Sequence, residues 1–139
     1  MLEKMDIVHE ISVEDFLSLR QMVGFQKLQK TEAQRILENT SYIAVARLEG
    51  KTVGLVRLLF DYGTDAYITD VIVHPEYQGT GIGRLLVEDV LGYVKKNSCT
   101  GVRIACSLYA NAGKEAFYEK LGFSRLPNDK YGYGMMLEI

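Results

Sequence analysis

The residues best suited to chemistry lie together where a strand-like stretch of this 139-residue chain gives way to a glycine-rich loop. The apolar run Val71-Ile72-Val73 leads into His74-Pro75, and Gly79, Gly81 and Gly83 follow at alternate positions. Glycine allows positive φ and lets a ligand approach the backbone closely. Backbone N–H groups at a helix start form an anion site, which the helix dipole strengthens. The pattern predicts a phosphate or pyrophosphate cradle, although a turn that only connects strand to helix would have a similar sequence.

Two common phosphate-binding loops are excluded by the residues that follow these glycines. The Walker loop ends in Gly-Lys-Ser/Thr, whereas Gly83 is followed by Arg84 and Leu85. The dinucleotide pattern GxGxxG fails because its last position is Arg84 or Leu86, depending on the starting glycine. A dinucleotide fold would also carry this loop after its first strand, and here a hairpin meander precedes it.

The elements around the loop predict a fold of the α/β class in three layers. Its central sheet would be mixed, as in α+β proteins, with helices on both faces. Strands are predicted at 5–11, 41–48, 52–60, 66–73, 102–107, 123–125 and 133–138. Helices are predicted at 13–22 after a Ser12 cap, 32–38 after a Thr31 cap, 82–96, and 111–121 between an Asn111 cap and a Gly122 stop.

Length and composition indicate one globular domain over residues 1–139, with 47% hydrophobic and 24% charged residues. The net charge of −2 gives no reason to expect nucleic acid or an anionic membrane as a partner. Cys99 and Cys106 are too far apart for a CxxC motif, so we expect reduced thiols in a cytoplasmic protein and no metal site. The first ten residues show no signal-peptide pattern, and no run approaches the roughly 18 apolar residues of a membrane span.

The loop fits a third pattern, Gln-x-x-Gly-x-Gly, here Gln78-Gly79-Thr80-Gly81-Ile82-Gly83. Directly after Val-Ile-Val-His-Pro-Glu-Tyr, it resembles the acetyl-CoA motif of the GNAT N-acetyltransferases. The stretch 111–123, with its Phe-Tyr-Glu-Lys-Leu-Gly-Phe ending, resembles the late helix of the same family. The resemblance extends from about Tyr42 to the end of the chain. It implies a GNAT-like fold whose mostly antiparallel sheet is splayed between its fourth and fifth strands.

The resemblance implies acetyl-CoA as cosubstrate. Its pantetheine arm would pair with the backbone of Val71, Ile72 and Val73, beside a bulge that opens the slot. Asn111 would contact the cofactor, unless it serves only as a helix cap. Arg84 would add charge toward a phosphate, unless it is only a solvated helix residue. The N–H groups that would cradle the pyrophosphate belong to Gln78, Gly79, Thr80, Gly81, Ile82, Gly83 and Arg84.

Two catalytic residues follow from the same resemblance. Tyr118 would donate a proton to the departing thiolate, because a tyrosine of pKa about 10 is protonated at neutral pH and a thiol has a pKa of about 8.5. Many members carry a carboxylate where this chain has Tyr67 or Thr69, and only Asp70 is available nearby as a base. Strict alternation puts Asp70 on the opposite sheet face from those two residues, so a structural carboxylate is the alternative. Tyr118 could likewise be a structural tyrosine.

The sequence therefore predicts an N-acetyltransferase that moves an acetyl group directly from acetyl-CoA to a primary amine of a small molecule. A non-catalytic acetyl-CoA-binding regulator and a protein lysine or N-terminal acetyltransferase are the alternatives. The acceptor pocket is expected at 19–29, 62–67 and the hairpin 130–136. The tyrosines and methionines of that hairpin suit either a partly apolar amine or a dimer contact. A homodimer is among the expectations, because members of the family commonly dimerise.

Overall fold

A mixed five-stranded sheet organises this protein, whose computed structural model describes residues 2–139. Strands adjacent in the chain are adjacent in the sheet, and every pair is antiparallel except the last, which is parallel. The predicted mixed, mostly antiparallel sheet is confirmed. The strands are β1 Met5–Val8, β2 Tyr42–Leu48, β3 Lys51–Phe60, β4 Asp65–Val73 and β5 Ala105–Ser107.

Helices occupy both faces of this sheet. Phe16 and Leu19 pack with Leu55 on one face, and the adjacent Gly54 faces Leu86 on the other. A Cβ on Gly54 would lie 3.1 Å from Leu86 Cδ1 and from the carbonyl oxygen of Ile72, so glycine lets the second-face helix approach closely. Within residues 2–139 the helices are α1 Val13–Met22, α2 Lys30–Glu38, α3 Ile82–Lys96 and α4 Glu115–Glu119, with 3-10 turns at Leu2–Lys4 and Pro75–Tyr77.

Local signals set the starts of α1 and α2. The Asp15 N–H donates to Ser12 Oγ at 3.1 Å, which confirms the predicted cap of α1. The second helix begins two residues earlier than predicted, because the Gln29 N–H donates to the Glu32 carboxylate at 2.7 Å. None of the helices in the described part of the chain is long and apolar enough to cross a membrane.

The apolar stripe of α3 anchors it on the sheet, and its predicted bounds, 82–96, are confirmed. Polar contacts add to this packing. Tyr42 of β2 stacks on Tyr93 of α3 with ring centroids 3.8 Å apart, and its hydroxyl donates to Asp89 at 2.7 Å. Burial, together with this hydrogen bond, raises the pKa of Tyr42 well above its ordinary value. The buried members of the stripe are Ile82, Leu86, Val87, Val90 and Val94.

The chain divides into two compact units, the first ending at Ser107 and the second being Leu108–Ile139. In the second unit the predicted helix 111–121 is wrong in its start. Gly113 has φ +88°, which interrupts helical geometry, so Lys114 is the N-cap in place of Asn111. The predicted stop at Gly122 is confirmed: at φ +98° its N–H donates to Glu119 O at 3.0 Å, in a Schellman-type ending.

The strands predicted at 123–125 and 133–138 are wrong. No part of 108–139 is a strand in the described residues. An apolar, β-rich stretch becomes a strand only when a neighbouring strand pairs with its backbone, and sequence composition does not supply that neighbour.

Candidate functional site

An extra residue interrupts β4 in the middle of its pairing with β3. Thr69 lies opposite Arg57 and Ile72 opposite Leu55, so three steps along β4 match two along β3. The irregularity includes Asp70, whose φ of +48° is uncommon for any residue but glycine. Such a bulge bends the strand and re-aims its side chains, which explains why strict alternation fails to place Asp70.

The re-aimed Asp70 side chain binds two arginines. Arg57 Nε donates to Asp70 Oδ2 at 2.6 Å, and Arg20 donates to both carboxylate oxygens at 3.2 Å. All three side chains are only 9–11% exposed. Arg57 also donates to Thr40 Oγ1 at 3.0 Å, and the guanidinium of Arg20 lies 5.5 Å from the Phe16 ring centroid. The ion pairs therefore tie the bulge of β4 to β3 and to α1.

The outer edge of β4 separates from β5 after Tyr67, just before the bulge. The parallel pairing covers Asp65–Ala105, Ala66–Cys106 and Tyr67–Ser107, and goes no further along β4 in the described residues. The predicted cofactor strand lies past this point. Its Ile72 is buried in the core, whereas Val71 and Val73 are half-buried. The geometry leaves a slot beside β4 into which an extended chain could add as a strand.

The loop after β4 is fastened to the end of that strand. His74 donates its backbone N–H to Val53 O at 2.8 Å, and its ring accepts from the Glu76 N–H at 3.1 Å. The side-chain amide of Gln78 reaches back to Val73 O at 3.0 Å. These bonds hold the loop in one conformation between β4 and α3.

Two left-handed glycines then turn the chain into α3. Gly79 has φ +76° and Gly81 has φ +95°, values at which an L side chain is strained. Within residues 2–139 no side chain caps α3 at Gly81, and the first intrahelical bond runs from Leu85 N to Gly81 O at 3.2 Å. The N–H groups before Leu85 therefore have no partner within the helix. Together with the positive end of the dipole of this 15-residue helix, they can bind an anion.

Arg84 lies on the exposed surface of α3. Its Nε donates to Glu88 at 2.7 Å, one turn further along. This bond raises the pKa of the Arg84 guanidinium. Its predicted contact with a phosphate stays a prediction.

Tyr118 and Asn111 belong to the second unit, 108–139. Tyr118 lies on α4, half-buried, with its ring 5.0 Å from that of Phe117 and 6.0 Å from that of Phe123. Burial raises the pKa of Tyr118, so its hydroxyl stays protonated over a wider pH range than that of an exposed tyrosine. Asn111 is exposed and accepts the Lys114 N–H at its carbonyl oxygen, 2.9 Å away.

A shallow cavity of about 450 Å³ lies at the paired end of β4 and β5. Its lining combines apolar Leu59 and Phe60 with the carboxylates Asp61 and Asp65, and includes Tyr67. Backbone N–H groups of Asp65 and Gly63 donate to Asp61 and hold the pKa of that carboxyl below its ordinary value. The cavity therefore carries negative charge at neutral pH beside an apolar wall. It overlaps the predicted acceptor segment 62–67.

A family model identifies the chain. The model of the acetyltransferase (GNAT) family matches residues 5–123, most of the sequence. The chain belongs to the GNAT family. It is accordingly an acyltransferase of the N-acetyltransferase class, in a family that uses acetyl-CoA as cosubstrate.

Individual relatives of this GNAT chain carry different names. An uncharacterised N-acetyltransferase, ycf52, of Pyropia yezoensis is 28% identical over 127 residues, which are 88% of this chain and 70% of that protein. A chloroplastic serotonin N-acetyltransferase 2 of Oryza sativa is 28% identical over 110 residues, and the match covers 76% of this chain but about half, 53%, of the rice protein. A probable acetyltransferase from Staphylococcus aureus, solved as a protein of unknown function, has a TM-score of 0.83 at 26% identity and covers 97% of this chain and 99% of its own.

Two residues of this GNAT site were missed by sequence reasoning. Arg20 and Arg57 lie 50 and 13 positions before Asp70, so no local motif joins them. Arg57 nevertheless gave a signal, since it stands alone among apolar residues in Val-Gly-Leu-Val-Arg-Leu-Leu-Phe. A charge in a buried strand requires a partner, and the next strand along the chain carries the carboxylate of Asp70.

Proposed function

We propose that this chain transfers the acetyl group of acetyl-CoA directly to the primary amine of a small molecule. The amine would attack the thioester carbonyl carbon, the C–S bond would break, the nitrogen would give up a proton to a base, and the thiolate would take one from an acid. The observation that supports acetyl-CoA binding is the start of α3 after Gly79 and Gly81, where no side chain caps the helix and the first N–H groups have no partner within it.

The binding residues proposed for acetyl-CoA follow the order of the chain. The pantetheine arm would lie along Val71, Ile72 and Val73, where β4 has lost β5 as a neighbour. The pyrophosphate would bind at the loop and first helical turn, and Asn111 and Arg84 are further proposed contacts. The proposed cradle consists of Gln78, Gly79, Thr80, Gly81, Ile82, Gly83 and Arg84.

Tyr118 is proposed as the acid that protonates the leaving thiolate. Burial supports this role, because the raised pKa keeps the proton on the hydroxyl until the thiolate forms. Asp70 has two proposed roles, as base or as the residue that positions the bulge. Its contacts with Arg20 and Arg57 favour positioning, since both carboxylate oxygens already accept guanidinium hydrogens.

A small amine with an apolar body is the proposed acceptor. A cavity of about 450 Å³ falls within the size range of small-molecule sites, and Asp61 and Asp65 would attract a protonated amine to its apolar wall. The reduced cysteines support a cytoplasmic or similarly reducing location, which cell fractionation tests. A homodimer is also proposed.

The test is release of free thiol from acetyl-CoA in the presence of a panel of amines. The panel should contain polyamines, amino acids, aryl-alkylamines including serotonin, aminoglycosides, and peptides with free lysines or N-termini. Amine-dependent thiol release that falls sharply in Tyr118→Phe, but not in Tyr109→Phe at an exposed tyrosine, is the expected result. Tight acetyl-CoA binding without release would favour the non-catalytic regulator, and turnover of peptides alone would favour a protein acetyltransferase.

A further inference from the structure

A second, smaller cavity lies between α1 and the turn that joins β2 to β3. Its volume is about 210 Å³, and it shares no lining residue with the cavity at the paired end of β4 and β5. The imidazole-bearing residue that ends β4, His74, also borders it. The lining residues are Asp15, Ser18, Leu19, Met22, Gly50, Lys51, Thr52 and His74.

The His74 side chain brings an unpaired proton to this second cavity. Its Nδ1 accepts the Glu76 N–H at 3.1 Å, so the ring carries its proton on Nε2. No described residue accepts that proton, although His74 is only 8% exposed. Within residues 2–139, the side-chain nitrogens that are both unpaired and sealed from solvent are Arg20 Nε and Arg47 Nε. His74 Nε2 is therefore open to the cavity, where a bound acceptor would satisfy it.

The charges around the second cavity favour an anion. Asp15 is already engaged, because its carboxylate accepts the Thr52 hydroxyl at 2.8 Å and lies 3.9 Å from Arg47. The exposed Lys51 ammonium lies 5.4 Å from the centroid of the Tyr77 ring. The cations Lys51 and Arg47 thus outnumber the carboxylate of Asp15, and an anion near Lys51 would be attracted.

One wall of the second cavity is apolar. Leu19 is buried, and Met22, on the same side of α1, is 46% exposed. A carboxylate held at His74 can lay a short hydrocarbon chain on these two side chains, since all three residues line one cavity. Each methylene buried there should tighten binding about fourfold, a gain that an inorganic anion does not have. The cavity therefore suits a short-chain carboxylate better than chloride or sulfate.

We propose that the second cavity binds a short-chain monocarboxylate of about the length of butyrate, whose oxygens accept from His74 Nε2 and face the Lys51 ammonium. The same imidazole fastens the loop after β4 through its bond with the Glu76 N–H. Binding should therefore hold that loop more firmly and tighten coenzyme A binding at the proposed cradle, which begins at Gln78. This coupling rests on the proposed function, whereas the carboxylate site itself does not.

The chain has two histidines, which permits a direct test. Nuclear magnetic resonance of the full chain with isotope-labelled histidine rings follows His74 and His9 together. His9 contacts Asp89 and does not line the cavity, so it is the internal control. A ligand of this size binds with a Kd on the order of 1 mM, so butyrate should be titrated to about 50 mM at constant pH and ionic strength. The His74 Nε2 signal should shift saturably, and the His9 signals should not.

A ligand series and three variants separate the parts of the site, with the Gly50 amide signal as readout. Butyrate should bind about 15-fold more tightly than acetate, and butylamine should not bind. His74→Asn keeps an acceptor for the Glu76 N–H but lacks Nε2, and should weaken butyrate binding about tenfold or more. Lys51→Gln should weaken it about two- to fivefold, whereas Lys95→Gln, on the exposed surface of α3, should leave it unchanged. Circular dichroism checks that each variant is folded.

Several results would overturn the carboxylate site. These are no saturable shift of His74 by butyrate, equal shifts of both histidines, or equal loss of affinity in Lys51→Gln and Lys95→Gln. Equal binding of sulfate, acetate and butyrate would mean an adventitious ion only, and would overturn the assignment to a carboxylate.

Calorimetry of coenzyme A with and without saturating butyrate tests the coupling. We expect about fivefold tighter coenzyme A binding, at the lower end of usual couplings, and an equal gain for butyrate when coenzyme A is bound. Butyrate binding with unchanged coenzyme A affinity would overturn the coupling. A chain that binds butyrate at His74 but does not bind coenzyme A would refute the proposed function and leave the carboxylate site confirmed.

Discussion

Replacing Asp70 with asparagine tests the ion pairs that hold the bulge of β4. The change removes a charge that lies 2.6 Å from Arg57 Nε and 3.2 Å from an Arg20 nitrogen. At 9–11% exposure, the three side chains are little screened by solvent. Breaking a buried pair by removing one partner costs about 3–5 kcal/mol. Asparagine tolerates the positive φ and keeps one acceptor oxygen, so we expect a cost near the lower end, about 3 kcal/mol.

The assay is thermal and urea unfolding of Asp70→Asn beside Asp65→Asn, a change at an exposed carboxylate of the same strand. A loss of about 3 kcal/mol should lower Tm by about 10 °C in a chain of this size. The Asp65 variant should stay within about 2 °C of the wild type. Adding Arg57→Gln to the Asp70 variant should recover part of the loss, because it removes one unpaired cation. A Tm for Asp70→Asn within about 2 °C of the wild type would refute the reasoning.

The same variant separates the two proposed roles of Asp70. If Asp70 positions the bulge, the pH dependence of kcat/KM should keep its shape at temperatures where the variant is folded. Loss of one limb of that profile would instead support a role as the base.

Three further changes test other parts of the structure. Gly81→Ala should weaken coenzyme A binding and cost about 1–2 kcal/mol of stability, because the φ of Gly81 is +95°. The control is Gly92→Ala, inside α3 with open space around it, which should leave binding unchanged and add up to about 1 kcal/mol of stability. Calorimetry measures the binding and urea unfolding the stability. Tyr118→Phe should lower kcat by about 100–10,000-fold at unchanged coenzyme A affinity. Burial raises the pKa of Tyr118 in the folded state, so ionising this tyrosine destabilises the fold. The free energy of unfolding should therefore not depend on Tyr118 below about pH 10 and should fall above it, and Tyr118→Phe should remove this fall. Gly54→Ala should destabilise by about 1–3 kcal/mol in urea unfolding, since its Cβ would lie 3.1 Å from Leu86 Cδ1 and a backbone oxygen, and no change in stability would contradict the close packing of α3.

The parts of the fold that sequence predicted are those specified by neighbouring residues. The bounds of α3 follow from the glycines before it and from its apolar stripe, and the stop of α4 follows from Gly122. The start of α4 was wrong because Asn111 suits a cap, but Gly113 two residues later takes a left-handed conformation.

Features that depend on distant partners could not be predicted in the same way. The register shift between β3 and β4 changes which face Asp70 occupies, and no periodicity in β4 alone reveals it. The contact of Asp70 with Arg20 depends on how α1 packs on the sheet. The strand expected at 133–138 needs a paired neighbour, and the pattern of its own residues cannot specify where that neighbour comes from.

The anchoring of the loop after β4 has a consequence for protein engineering. Its bonds join Gln78 to Val73 and Glu76 to His74, and its contacts with β3 among residues 2–139 include the main-chain bond from His74 to Val53 and the Lys51 ammonium 5.4 Å from the Tyr77 ring centroid. A main-chain acceptor does not depend on which side chain it carries. The conformation of residues 73–81 is therefore determined mostly by these residues themselves. The segment should therefore be transferable as a cassette into related scaffolds, and chimeras that cut between Val73 and Gln78 should lose that shape.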